Sequence, residues 1–374
     1  MQPSTEPKSS HEIQTFAYKP NAADVVKRLR SFYRHEAGDR IFATMEPPSP
    51  AIDEFQGQYE AGFCEYPEPA ERIVFWDKLL GERAALDDDS IPSAYLSELD
   101  QGLYGGLLGG EVQFMAHPDT GWISSMVSPL LRDWSEFDAL RFDRAHPWFQ
   151  RYVDQIKTFV KAADGKFGIS HFILIDSLNF VFELLGATRT YLSLDEHPEM
   201  VRRAVDFAFE LNVQIQETFM HLVPRLGGGT CSNMVQWIPG RVVSESVDPF
   251  HMTSVEYFEQ WGREPIERIF LRFDGGVLHI HGNGRHLLDA VSTLEGLKAI
   301  SLLDDVGYPP AFEILGHLQP HTGRITLVVN AEYGPFCERM ERHELCGNVL
   351  YHVSGVPDAD AGNRCMQKVR DYRV

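Results

Sequence analysis

The stretch FDGGVLHIHGNGRHLLDAVSTLEGLKAISLLDD, Phe273–Asp305, holds a strand, a helix and a second strand in quick succession. Its first strand, 275–281, ends in His279–Ile280–His281, and the glycines of Gly282–Asn283–Gly284 turn the chain into a helix over 285–293. The next strand is read at 297–303. Working outward, the same alternation recurs: helix 310–319, strand 324–330, helix 333–344, strand 348–354 and helix 360–371. Upstream lie helix 149–163, strand 166–172, helix 177–186, a long helix opened by Pro198, strand 227–237 and helix 253–270. Nearer the start, a helix over 22–36 precedes strand 40–46, which Pro47, Pro48 and Pro50 stop, and 70–85 is helical. Residues 86–148 form an irregular excursion, with one strand placed in 86–125. Strands alternating with helices imply parallel pairing through crossover helices. Eight such strands point to an α/β fold, a single (β/α)8 TIM-type barrel over 20–374. An open doubly wound sheet is the rival, and residues 1–19, polar and without periodicity, read as a flexible tail.

Composition narrows the function. The chain has 374 residues, 43% of them hydrophobic, and 54 acidic against 34 Lys and Arg residues leave a net charge of −20. That balance argues against nucleic acid or an anionic membrane as the main partner, since both attract basic surfaces. No apolar run approaches bilayer-spanning length, and residues 1–20 lack a signal-peptide apolar core. Five cysteines without CxxC spacing make neither a disulfide framework nor a cysteine-only zinc site. The expected setting is cytoplasmic.

In a barrel, working residues sit at the C-terminal ends of strands. His279 and His281, two apart on one strand, point to the same face and could share zinc or another divalent ion. His352, at the end of the last strand, is the expected third ligand. Other strand ends offer Glu46, His171, Asp176, Asp304, Asp305, Asn330, Glu332 and Ser354. The loop Trp237–Arg241 reads as a pocket wall, with Arg241 placed to hold a carboxylate. The glycines at 282 and 284 are a tight turn in preference to a cofactor loop, because Leu287 stands where a dinucleotide fingerprint needs glycine. No GxSxG, GxxxxGK or HExxH occurs.

These segments resemble the uroporphyrinogen decarboxylase superfamily: Phe273–Asp305, Val243–Trp261, Leu192–Phe209 (LSLDEHPEMVRRAVDFAF) and the closing Asn348–Asn363 stand in the family's order and spacing. The resemblance implies one β/α barrel with one of two chemistries. The first is methyl transfer between a corrinoid carrier on a partner protein and a thiol or other acceptor, assisted by zinc. The second is cofactor-free decarboxylation, with Asp89 matching the catalytic aspartate and His281 handling protons. His281 stands where the methyltransferases carry a zinc-binding cysteine, and Ser354 where they carry a later one. The expectation is a methyltransferase acting on a small molecule, with catalytic Asp89, His171 and His281, metal ligands His279, His281 and His352, and substrate contacts from Glu46, Trp237, Arg241, Asn330 and Ser354. A homodimer is one option for an assembly that the sequence leaves open, and a barrel that only binds a ligand is the remaining alternative.

Overall fold

The apolar runs of the second half of the chain form parallel strands buried on both faces, which is why they read as near-continuous hydrophobic stretches. The computed structural model describes residues 16–171 and 173–374, with His171 by its backbone alone. Its central sheet has six strands, in the spatial order Phe42–Met45, Val349–Ser354, Thr326–Glu332, Leu297–Leu302, Gly276–Ile280 and Val243–Ser246. Every neighbouring pair is parallel. The last four strands of the chain lie side by side in sequence order, as short crossovers favour.

A second sheet places Ser93–Tyr95, Gly168–His171 and Gly229–Ser232 parallel, with Gln236–Pro239 folded back antiparallel. Single bonds join it to the first. Ile173 bridges Ser244, Leu174 N–H donates to Ser244 O at 2.9 Å, and Asp89 N–H donates to Ala43 O at 2.9 Å. The architecture is therefore mixed α/β around a parallel sheet, and no unbroken ladder runs round eight strands among the described residues. The strand beside the histidine strand is Val243–Ser246; the expected 227–237 is instead a hairpin. The excursion likewise holds more than one strand: Val112–His117 and Trp122–Val127 join Gly62–Cys64, from the stretch before it, in a separate antiparallel sheet.

Side-chain alternation sorts the central sheet into two layers. Phe42, Val277, Ala299, Val328 and Leu350 belong to an inner cluster with Val25, Val26, Leu29 and Phe32. Those four lie on helix Ala22–Tyr33, whose apolar positions recur at three- and four-residue spacing. The residues between them, such as Ala43, Leu278, Ile300, Leu327 and Tyr351, pack outward on helices that include Ser177–Leu185, Pro198–Leu222, Arg263–Arg272 and Ala359–Asp371. Burying a side chain such as Phe32 stabilises by roughly 1.5–3 kcal/mol. The helix therefore caps the N-terminal ends of the strands and leaves their C-terminal ends for polar groups.

The tail expected over 1–19 falls outside the described residues as far as residue 15. From Phe16 onward the chain is packed. Phe16 joins the inner cluster, and the Lys19 ammonium is buried against Asp88 at 2.7 Å and Leu86 O at 2.9 Å. A buried ammonium needs such partners, and polar composition alone did not reveal them.

Candidate functional site

The same alternation that buries Val277 in the inner layer turns His279 and His281 to the same side. Their rings lie 5.2 Å apart, nearly perpendicular at 83°. The neighbouring strand pairs Ser246 with His279, and two residues beyond Ser246 comes Asp248. One Asp248 oxygen lies 3.1 Å from His279 Nε2 and 3.9 Å from His281 Nε2. Ligand atoms of Asp248, His279 and His281 all fall within 4.8 Å of one another, so the three form a group that could hold a metal ion.

The surroundings orient the group. His281 Nδ1 lies 2.9 Å from Asp305 Oδ1, and Asp305 Oδ2 accepts from Gly282 N–H at 2.6 Å. A carboxylate only accepts, so this bond puts a proton on Nδ1 and leaves Nε2 to face Asp248. Carboxylate–imidazole–metal arrangements use such an outer partner to fix tautomer and ring angle. Burial alone would raise the Asp248 pKa, but the hydrogen bond to His279 and the three nearby imidazoles outweigh it and hold the carboxyl below its usual range. Asp305 is lowered too: its bonds to His281 and Gly282 overcome burial. His251, 3.6 Å from Asp248 through Nδ1, is pushed down to about 4 chiefly by burial, so it stays neutral. A side chain at position 284 would meet the His251 ring at 2.1 Å, which explains Gly284. The glycine turn thus serves close packing, and its Gly282 amide is already spent on Asp305.

The remaining expected residues fall elsewhere. His352 Nδ1 lies 2.7 Å from Thr44 Oγ1, and its Nε2 lies 3.3 Å from Met234 O. Its strand is three strands from the histidine strand, at roughly 4.8 Å each, and the residue that lies with His279 and His281 is Asp248, two residues beyond the end of the adjacent strand. Trp237 is 0% exposed, with Nε1 donating to Leu226 O at 2.8 Å, so it is core and not pocket wall. Arg241 precedes Val243–Ser246, pairs with Asp274 and lies at the opposite end of that strand from Asp248. Asp89 is fully buried, paired with Arg28 at 2.7 Å and accepting from Ala43 N–H; burial pushes it up to about 6 against the Arg28 charge. It shares no partner with His281. Glu46 and Asn330 are exposed and Ser354 is half-buried, all at the ends of central strands. The His171 side chain lies outside the described residues. Asp248 itself was not singled out, though it followed from the strand-end rule once Val243–Ser246 was known to be a strand.

The sequence matches no protein-family model and no curated protein. Among solved structures, a methyltransferase from Methanosarcina mazei matches with a TM-score of 0.58 and 15% identity, over 95% of this chain and 99% of that one. The likeness defines a shared fold: an α/β architecture around parallel strands. No helix among the described residues is long and apolar enough to cross a membrane.

Proposed function

We propose that the protein is a metal-assisted methyltransferase of the uroporphyrinogen decarboxylase-like type, built as an eight-stranded barrel. The observation that carries this reading is the Asp248–His279–His281 group at the C-terminal ends of adjacent parallel strands. In this reading strands 42–45, 93–95, 168–171, 243–246, 276–280, 297–302, 326–332 and 349–354 are the eight staves, Gly229–Ser232 is an added strand beside 168–171, and the bonds at Ala43 and Ser244 support a link between the two sheets. The Methanosarcina mazei structure, itself a methyltransferase, supports the choice of reaction.

The donor set suits zinc or another divalent ion, because two imidazoles and one carboxylate lack the thiolates that would favour zinc alone. Such an ion would lower the pKa of a bound thiol or water and so supply a nucleophile at neutral pH. The protein's part is to hold it. Asp248 stays ionised next to three imidazoles, Asp305 fixes the His281 ring, and His251 covers Asp248 as a neutral wall. The methyl carrier we assign is a corrinoid on a partner protein, and the acceptor is a small thiol. The free cysteines fit a cytoplasmic setting.

Elemental analysis of protein purified without added metal, beside His279→Ala, tests the reading together with methyl transfer from a methylated corrinoid to a thiol. One metal per chain, absent from the variant, with transfer that tracks the metal, is the expected result. Full transfer by metal-free protein refutes it.

A further inference from the structure

Strand Val243–Ser246 has a second polar face. Glu245 lies between Ser244 and Ser246, so its side chain leaves on the opposite side from theirs, away from the histidines. It is 0% exposed. Two ties press the segment after the neighbouring strand against it: Leu174 N–H donates to Ser244 O at 2.9 Å, and Asn179 Nδ2 donates to Ser246 O at 2.8 Å. Asp176 and Ser177, both 0% exposed, lie between those ties. Helix Pro198–Leu222 closes the space. Its Asn212 accepts from Ile175 N–H at 3.2 Å and donates to Ile175 O at 2.8 Å. One turn further on, Gln216 Nε2 donates at 3.3 Å to the Tyr104 hydroxyl, which lies against Ile173 O.

Both oxygens of Asp176, both of Glu245, Ser177 Oγ and Gln216 Oε1 are buried here without a hydrogen-bond partner. Turning the Gln216 amide over would supply one donor group, too few for two carboxylates. Arg268, whose charge reaches Asp176, gives a nitrogen to Asp206 at 2.7 Å and hydrogen-bonds neither carboxylate. Unpartnered buried carboxylates cost several kcal/mol each when ionised, so this cluster calls for a compensating partner.

We propose that Asp176, Ser177, Glu245 and Gln216 form a site for a hard divalent cation. The unpartnered atoms of these four residues are all oxygens, the ligands such ions prefer, and two carboxylates balance a charge of two, while the Arg268 nitrogens that also lack partners reach Asp176 only through their charge. Calcium, which accepts six to eight oxygens in loose geometry, suits the set better than magnesium, which keeps its waters. Burial pushes the Asp176 carboxyl up to about 7, and Glu245 well above the usual range, so an entering ion displaces protons. The ion would brace strand Val243–Ser246, two residues before Asp248. The proposal does not depend on methyl transfer.

The test uses the full chain, stripped with a chelator and titrated with calcium by calorimetry in buffers of different ionisation enthalpy. The expected result is one calcium per chain with proton release and a saturable rise in Tm. Glu245→Gln and Asp176→Asn should abolish it, and each puts a neutral isostere where the calcium-free chain buries a protonated acid, so they should stay folded by circular dichroism. Asp248→Ala should keep it. No binding at millimolar calcium overturns the proposal, as does binding that Asp248→Ala removes and Glu245→Gln leaves intact. The wild-type stoichiometry stands as a test even where a variant fails to fold.

Discussion

Strand Val243–Ser246 presents two faces, and carboxylates end up on both. On one, Asp248 meets His279, His281 and His251, every interaction is with an imidazole, and the group is half-open. On the other, Glu245 and Asp176 are sealed in, and no side chain hydrogen-bonds their oxygens. The two acids titrate in opposite directions for that reason: Asp248 is held down by its imidazoles, whereas Asp176 is pushed up to about 7 by burial. One short segment can therefore lead into a nitrogen-and-oxygen group just past its end and turn a carboxylate to the opposite side within it.

The sharpest break between the faces is exchange of metal preference. His279→Ala or Asp248→Ala should lose zinc altogether, and Glu245→Gln should keep it, measured by chelator competition on the purified chain. If Glu245→Gln abolished zinc binding as fully as Asp248→Ala, the two faces would not be separate sites.

Acidity gives the next contrast. Between about pH 4 and 7 the native chain holds a proton on Asp176 that the unfolded chain has lost. Native protein then binds more protons, so stability falls as pH rises through that window and levels above it. The expected fall is on the order of a few kcal/mol in calcium-free buffer. Asp176→Asn should flatten much of it in urea titrations across the range, and an identical slope in both proteins would rule the account out.

Asp305→Ala should weaken zinc by roughly 10–100-fold, the usual effect of removing a partner that orients a ligating imidazole. Competition with a zinc chelator reads it, and an unchanged affinity would mean that Asp305 does not position His281. The smallest effect is expected at the other histidine. Thr44→Val leaves the His352 Nδ1 without its partner and should cost about 1–2 kcal/mol of stability in urea, with zinc unaffected. Loss of zinc there would restore His352 as a ligand.

That last contrast also shows how far the sequence could be read. The parallel order of the last four strands followed from apolar runs separated by helices, and the shared face of His279 and His281 from their spacing alone. The third ligand did not follow. Gly227–Trp237 carries the glycine turn and apolar residues that announce a strand, but they form a hairpin at the opposite end from the histidines. The neighbour, Val-Ser-Glu-Ser, is half polar because Ser244 and Ser246 leave on the side of the histidines and Glu245 on the side of Asp176. A strand with polar groups on both sides loses the alternation that marks strands. His352 and His281 carry similar signatures at the ends of parallel strands, and only the identity of the neighbouring strand separates a ligand from a core histidine. Lys19 and Phe16 were hidden likewise, since their burial depends on Asp88 and helix Ala22–Tyr33, far along the chain or in another layer.

The central claim is that Asp248, His279 and His281 hold one divalent ion. Anomalous diffraction at the zinc edge, from crystals of the full chain grown with zinc, tests it most directly. The account predicts one strong peak about 2.0–2.2 Å from His279 Nε2, His281 Nε2 and an Asp248 oxygen. A peak placed elsewhere, or no peak with His279 still bonded to Asp248, would contradict it.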